Sequence, residues 1–298
     1  MKRITKRNII DYLDSRGFFK FMSDEAYLKF MYKLKMKRKL NLSDPQTFNE
    51  KLQWLKIYDR KPEYTTMVDK YEAKKYVADI IGEEYIIPTL GVWDRFEDID
   101  FDELPDQFVL KCTHDSGGLV ICRDKSKLDL KAAKKKINKS LKRNYYWIGR
   151  EWPYKNVRPR IIAEKFMRDG ESGELRDYKI FNFNGLPDFI QVDFDRFGNH
   201  RRNLYTTDWT FIPASNNSQY PFDENVKVVR PKKLDQMLDF ARILSAEIPH
   251  LRTDFYYVDE KIYFGELTFF HGSGFARFEP DSFDRQLGEK IVLPTENN

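Results

Sequence analysis

The stretch 252–270, "RTDFYYVDEKIYFGELTFF", alternates apolar and polar residues on either side of a polar break, the pattern of two half-buried strands joined by a hairpin turn. Its acids Asp254 and Glu266 lie on opposite arms, with Arg252 and Thr268 one same-face step further out. If Asp254 stands opposite Glu266 in an antiparallel pair, Arg252 stands opposite Thr268. Alternation then puts all four on one surface, opposed Cβ atoms about 5 Å apart. That register predicts an odd-numbered loop such as Asp259-Glu260-Lys261. Two carboxylates that close repel unless a cation lies between them, and Mg²⁺ takes one or two carboxylates together with substrate phosphates. A two-residue turn at Asp259-Glu260 would send the acids to opposite faces and leave an ordinary charged strand surface.

Upstream, "FVLKCTHDSGGLVIC" (108–122) begins and ends as a strand around Ser116-Gly117-Gly118, with Lys111 inside the apolar run. One ammonium beside a flexible glycine turn suits a phosphate held by a lysine and a ring of backbone N–H groups. A hairpin with a surface lysine has the same appearance.

The rest of the 298 residues bounds the class of protein. With 24 Phe and 17 Tyr, a packed globular protein is expected. No window approaches 18 uninterrupted apolar residues, so no membrane span is expected. The basic start "MKRITKRNIIDYLDSRG" lacks an apolar core and a small-residue cleavage site, so no signal peptide is expected. Cys112 and Cys122 lack metal-ligand spacing and fit a reduced, cytosolic setting. The net charge of +5 is uneven: residues 1–40 hold twelve Lys/Arg against four Asp/Glu. "KFMYKLKMKRKL" (29–40) mixes lysines with apolar residues and suits either an anionic partner, such as a membrane surface, a phospho-lipid carrier or an acidic polymer, or a solvated helix face.

Residues 7–39 predict amphipathic helices broken near Ser15-Arg16-Gly17 and Ser23-Asp24-Glu25. Thr47 and Glu50 have capping-box spacing ahead of a helix carrying Phe48, Leu52 and Leu55. One helix is predicted from Thr66 to Ile81, stopped by Gly82. "YIIPTLGVW" (85–93) predicts a strand on either side of Pro88, and a basic helix is predicted over 130–142. "RPRIIAEKFM" (158–167) predicts a strand, 176–195 a hairpin turning at Asn184-Gly185, and 230–246 a helix. The sum is an α+β fold with mixed sheets and peripheral helices.

These pieces together resemble the ATP-grasp superfamily, and within it the TupA-like proteins of bacterial surface-polysaccharide biosynthesis. The resemblance runs from about residue 40 to 282, through "PQTFNEKLQWLKIYDR", "VDKYEAKKYV", "FVLKCTHDSGG", "RIIAEKF", "DYKIFNFNG" and "RTDFYYVDEKIYFGELTF". It implies two α+β lobes gripping ATP. Residues 1–42 would be a basic helical extension and 43–100 a pre-ATP-grasp subdomain. The N-lobe with the glycine loop would be 101–167, and the C-lobe with the metal hairpin 168–298. Lys70 and Lys111 would hold ATP phosphates, and His114, Ser116, Gly117 and Gly118 would belong to the loop closing over them. Glu164, Lys165, Phe166 and Met167 would form the hinge that reads adenine. Glu171 would bind ribose, with Glu174 and Asp177 as rivals. Asp254, Glu266 and Thr268 would bind Mg²⁺, and Arg252 would steady an acyl-phosphate and its tetrahedral successor. Lys179 would be a further cofactor or structural contact. In "HGSGF" (271–275) Ser273 would line the acceptor or oxyanion site, the alternative being a plain glycine turn, and His271 would be a proton shuttle or merely solvated. Thr268 stands where many relatives have Asn, and Thr113 and Asp115 where Gly or Asn is commoner; an acid beside phosphates must face away or meet metal.

The implied chemistry is ATP- and Mg²⁺-dependent: a carboxylate becomes an acyl-phosphate, an amine attacks it, and an amide, ADP and phosphate result. The implied substrates are an amine or amino acid and a uronic acid or similar carboxylate of a cell-surface polysaccharide or its precursor. The implied place is cytoplasmic, with peripheral membrane contact through residues 1–40 and no nucleic acid. Two alternatives stay open: a glycosyltransferase using Asp193 and Asp195 of "DFD" as a metal site, and a non-catalytic polysaccharide-binding protein. Arg196, Arg201 and Arg202 suit an anion clamp, whereas Trp54, Trp93 and Trp209 suit the core.

Overall fold

The computed structural model describes residues 6–168, 176–194, 200–216 and 220–294. In chain order the elements are α1 (Lys6–Ser15), α2 (Asp24–Met36), α3 (Phe48–Tyr58), α4 (Glu63–Val68), α5 (Glu72–Ile81), β1 (Thr89–Trp93), β2 (Phe108–Cys112), β3 (Leu119–Cys122) and α6 (Leu130–Leu141). They continue as β4 (Ile161–Lys165), β5 (Asp177–Phe183), β6 (Leu186–Phe194), β7 (Arg201–Thr206), β8 (Phe211–Ile212), α7 (Leu234–Leu244), β9 (His250–Val258), β10 (Lys261–Thr268) and α8 (Asp281–Lys290). Two antiparallel sheets result, ordered β1-β4-β2-β3 and β10-β9-β5-β6-β7-β8. The smaller sheet packs on α6 around Phe108, Leu110, Ile137 and Ile161. The larger is covered by α3, α5 and α7 through Phe48, Val77, Met237 and Phe255. Trp54, Trp93 and Trp209 pack against these cores.

Local chemistry explains most of the elements. Thr47 accepts the Glu50 N–H while the Glu50 carboxylate accepts the Thr47 N–H, so the capping box starts α3. Asn184 (φ 48°) and Gly185 (φ 81°) take the left-handed conformations a two-residue hairpin turn requires. The helix expected over 66–81 is instead two, broken at Asp69-Lys70-Tyr71. The Asp69 carboxylate accepts the Tyr71 N–H at 2.8 Å and so starts α5 afresh, and Arg160 pairs with both Asp69 and Glu72 at 2.9 and 2.8 Å. The break leaves Lys70 N–H free of the helix ladder to donate to the Thr113 carbonyl at 3.1 Å. The strand expected before Pro88 is also absent; Ile86 makes only an isolated bridge to Phe264.

The terminal hairpin differs from expectation at its tip but not at its acids. Asp259 (φ 48°) and Glu260 (φ 60°) form a two-residue turn, not a three-residue loop. Along the first arm Phe264 therefore pairs with Phe255, a register that would separate the acids. A bulge at Gly265 adds one residue to β10, after which Glu266 pairs with Asp254 and Thr268 with Arg252. A Cβ at residue 265 would lie 3.0 Å from the Asp254 carbonyl, which suits glycine to the bulge.

Candidate active site

The two sheets face each other across a cleft of about 370 Å³ lined by Val109, Ile121, Phe166, Met167 and Tyr256, with Lys111 and Glu164 also on its wall. Leu119 and Ile121 on β3 are 38% and 42% exposed and contribute apolar surface to it. An apolar slot with a few convergent charges is the usual form of a small-molecule site. The expected hinge, Glu164 to Met167, lines this slot, as does the expected phosphate lysine.

Lys111 leaves the strand face toward the cleft and pairs with Glu164 at 2.6 Å; Lys74 takes the other Glu164 oxygen at 2.7 Å. Burial works against ionising Glu164, but Lys111 and Lys74 outweigh it and hold its carboxyl down at about 2. Burial also works against the Lys111 charge, yet Glu164, Glu266 and Asp177 together raise it above the ordinary lysine range. Lys111 therefore feels the acids of the opposite sheet. Lys74, one helical turn past Lys70, had no signal of its own beyond that spacing.

On the facing sheet the charges form a continuous row. Lys179 on β5 donates to Asp177 at 2.9 Å and to Asp254 at 2.7 Å, because Lys179 and Asp254 are cross-strand partners. Arg252 Nε and Nη2 each donate to Asp254 at 2.7 Å. The same Nη2 lies 2.9 Å from Glu266 Oε1 and 3.1 Å from Thr268 Oγ1. All three expected metal ligands thus converge on one cationic nitrogen. Among the described residues no group of three His, Cys, Asp or Glu side chains forms a self-sufficient metal cage. Two carboxylates and a hydroxyl around one point nevertheless fit Mg²⁺, an oxygen-seeking ion that takes its remaining ligands from phosphates and water. Arg252 Nη1 donates to His271 Nδ1 at 3.0 Å, so His271 is a buried acceptor, not a solvated turn residue. Burial and then Arg252 push its pKa well below the usual range, which disfavours a protonated shuttle.

The glycine loop is arranged differently from expectation. The amides of Gly117 and Gly118 donate to the Asp115 carboxylate at 3.2 and 3.0 Å. Asp115 also takes the Ser140 hydroxyl and pairs with Arg143 at 3.0 Å, so the acid faces α6 and away from the cleft. His114 turns the same way, its Nε2 near the Ser140 and Arg143 carbonyls at 3.2 and 3.0 Å. Ser116 donates to the Tyr145 hydroxyl at 3.2 Å, and Lys70 Nζ holds the Asp115 carbonyl at 2.5 Å. Burial works against ionising Glu266, but Arg252, Lys179 and then Lys70 together hold its carboxyl below the usual range. Lys165 is exposed; its amide bonds the Pro88 carbonyl at 3.0 Å. Glu171, Glu174, Asp195 and Arg196 lie outside the described residues. Asp193 is fully buried and accepts from Arg202 at 2.5 Å, His200 at 2.9 Å and Gln191 at 2.9 Å. Its carboxylate is committed to these partners, so Asp193 itself offers no accessible acid for the D-x-D alternative.

The sequence signature of the family described as TupA-like ATPgrasp matches residues 50–292, most of the chain. The chain belongs to the TupA-like ATP-grasp family. Membership carries the ATP-grasp fold and places the chain among ATP-dependent carbon–nitrogen ligases. No curated protein matches the sequence. Among solved structures, D-alanine–D-alanine ligase of Helicobacter pylori is similar at 12% identity over 83% of this chain and 70% of its own, with a TM-score of 0.46. The ATP complex of the Bacillus anthracis D-alanine–D-alanine ligase is 15% identical over 68% of this chain and 55% of its own, TM-score 0.38. N5-carboxyaminoimidazole synthetase of Staphylococcus aureus is 13% identical over 68% and 44%, TM-score 0.40. These likenesses are distant, and the family assignment rests on the sequence match. No helix among the described residues is long and apolar enough to cross a membrane.

Ser273 and the residues behind it were only partly legible beforehand. Ser273 sits at φ 55°, and Lys56 on α3 donates to its carbonyl at 2.8 Å and to the Gly149 carbonyl at 2.7 Å. Glu151, buried in the loop after α6, had no motif or periodicity to single it out.

Proposed function

We propose that the chain joins an amine or amino acid to a carboxylate through an acyl-phosphate, with a uronic acid of a cell-surface polysaccharide or its precursor as the carboxylate. The observation that carries the ligase reading is the convergence of Asp254, Glu266 and Thr268 on one cationic point, across from Lys111 and beside the apolar slot. The adenine fits the slot lined by Phe166 and Met167. Lys111 and Lys70 lie where the phosphate tail meets the acids. Mg²⁺ held by Asp254 and Glu266 would neutralise the transferring phosphoryl group. Arg252, pinned by Asp254 and His271, presents a fixed positive charge to an oxyanion that forms at the acyl carbon. The hydrophobic walls exclude water that would hydrolyse the acyl-phosphate.

The saccharide substrate is supported by the resemblance to proteins of surface-polysaccharide biosynthesis. Contact with a membrane or lipid carrier is supported by Phe18 and Phe21, 58% and 79% exposed, beside exposed Arg16 and Lys20. The deciding experiment incubates the protein with ATP, Mg²⁺ and pools of uronic acids and amino acids and follows ADP release. ADP release that requires both pools supports the proposal. Turnover of a nucleotide-sugar without ATP, or tight polymer binding with no turnover, overturns it. Glu266→Gln is expected to abolish turnover with the fold intact; full activity in that variant refutes the metal assignment.

A further inference from the structure

The cleft chemistry accounts for neither the second basic cluster of the sequence nor the groove beside it. Residues 130–143, "LKAAKKKINKSLKR", hold seven Lys/Arg and no Asp/Glu, although the whole chain carries only +5. Ala133 and Ile137 of α6 pack on the smaller sheet, which leaves Lys131, Lys134, Lys135, Lys136, Lys139 and Lys142 exposed. Lys134 pairs with Glu97 at 2.8 Å; among the described residues the other five pair with no acid. Lys131, Lys135, Lys139 and Lys142 recur at helical spacing and form one stripe, roughly 16 Å long at about 1.5 Å per residue. Like charges four residues apart destabilise a helix, and Lys131 stands in the first turn, where the dipole disfavours a cation. These repulsions are relieved when negative charges lie along the stripe.

Beside the stripe, α6 and the edge strand β3 border a groove of about 410 Å³ lined by Leu119, Ile121, Leu128, Ala132 and Lys136. Asp129, the acid on its wall, is committed to capping α6 through the Ala132 N–H at 2.9 Å. Leu119 and Ile121 also line the apolar slot of the catalytic cleft, so groove and slot share a wall. At its C-terminal end the stripe reaches the glycine loop, where Ser140 and Arg143 hold Asp115.

Resting on the reading that a polysaccharide carboxylate is the substrate, we propose that this stripe and groove hold an extended polyuronate chain beside the catalytic cleft. The repeating carboxylates meet the lysines, and the C–H faces of the sugar rings cover the aliphatic groove. A lipid bilayer fits less well: Ile137 is buried, and Leu130, 46% exposed, is the large apolar side chain that α6 offers to a membrane. Nucleic acid also fits less well, since among the described residues no aromatic side chain lines the groove for a base to stack on. The lysines retain the polymer by charge while the chemistry proceeds at the acid row.

The test compares the full chain with a variant carrying Lys131→Gln, Lys135→Gln and Lys139→Gln, which is expected to melt no lower than the wild type because repulsion is removed. Labelled polygalacturonate is expected to bind the wild type in an anisotropy titration, and neutral dextran is expected not to. The triple variant should bind polygalacturonate roughly tenfold more weakly at about 50 mM salt. Its plot of log affinity against log salt should be shallower by about 2, three lost contacts at about 0.7 each. Replacing the same lysines by arginine keeps the charge and should keep the binding. In the ligase assay the glutamine variant's KM should rise roughly tenfold for polygalacturonate and stay unchanged for free galacturonate. No polygalacturonate binding by the wild type, or equal binding by the glutamine variant, overturns the proposal. Phosphatidylglycerol vesicles or single-stranded DNA bound more tightly than polygalacturonate through these lysines also overturns it, assigning the stripe to a membrane or to nucleic acid. Absence of ADP release with every uronate and amine instead overturns the ligase reading, and the binding comparison still decides the stripe.

Discussion

Replacing Glu164 by Gln tests whether the cleft is organised by its central carboxylate. Glu164 is 4% exposed and lies between Lys111 at 2.6 Å and Lys74 at 2.7 Å. Its carboxyl is held down from an ordinary 4.5 to about 2. At about 1.4 kcal/mol for each pH unit, this depression amounts to roughly 3 kcal/mol of native-state stability at neutral pH. Because the folded pKa is depressed, the contribution is complete above pH 4.5 and is lost as pH falls toward about 2. The glutamine variant keeps the shape but leaves two lysines facing a neutral amide. We expect it to be about 3 kcal/mol less stable than the wild type by urea unfolding at pH 7, within the usual range for a broken buried pair. The difference should narrow below pH 4.5 and fall to roughly a quarter of its neutral value by pH 2.5. Adding Lys111→Met should restore part of the loss, since the two changes share one interaction. Parallel stability curves from pH 7 to 3, or a neutral-pH difference below about 1 kcal/mol, would refute the reasoning.

Other outcomes follow from the same geometry. Gly265→Ala should crowd the Asp254 carbonyl, disturb the bulge that aligns the acids, and weaken Mg²⁺-dependent ATP binding about tenfold, measured by titration calorimetry; unchanged binding would separate the bulge from the acid geometry. Gly118→Ala would put a Cβ 2.4 Å from Cys112 Sγ and 2.6 Å from Ser140 Oγ, and should cost about 1–3 kcal/mol in chemical unfolding. Asp193→Asn should lower the melting temperature by stranding Arg202, whereas a metal role would show as lost metal dependence with normal stability. Phe18→Ser with Phe21→Ser should weaken binding to phosphatidylglycerol vesicles about tenfold in a sedimentation assay; equal binding would assign that patch no lipid role.

Much of the fold is legible in short-range pattern. The capping box at Thr47, the Asn184-Gly185 turn and the alternation of β2 each depend on a few neighbouring residues, so their chemistry is visible without the rest of the chain. Pattern misled where a local event had a distant cause. Helical spacing continues through residues 66–81, but Arg160 and the Thr113 carbonyl capture Asp69 and Lys70 and break the helix there. The loop acid Asp115 gave no hint of its direction, because its partners are Ser140 on α6 and Arg143 just beyond that helix.

The sequence by itself determined which residue types alternate along each strand, and so the presence of an acid-bearing hairpin and a lysine-bearing strand. Only the tertiary structure decided their register and their charges. Alternation has a period of two and is blind to an inserted residue, so the bulge at Gly265 could cancel the short turn at Asp259-Glu260 without any trace in the pattern. A buried charge such as Glu151 or Lys56 has no period at all; its meaning comes from the low-dielectric surroundings and the partners that folding brings to it.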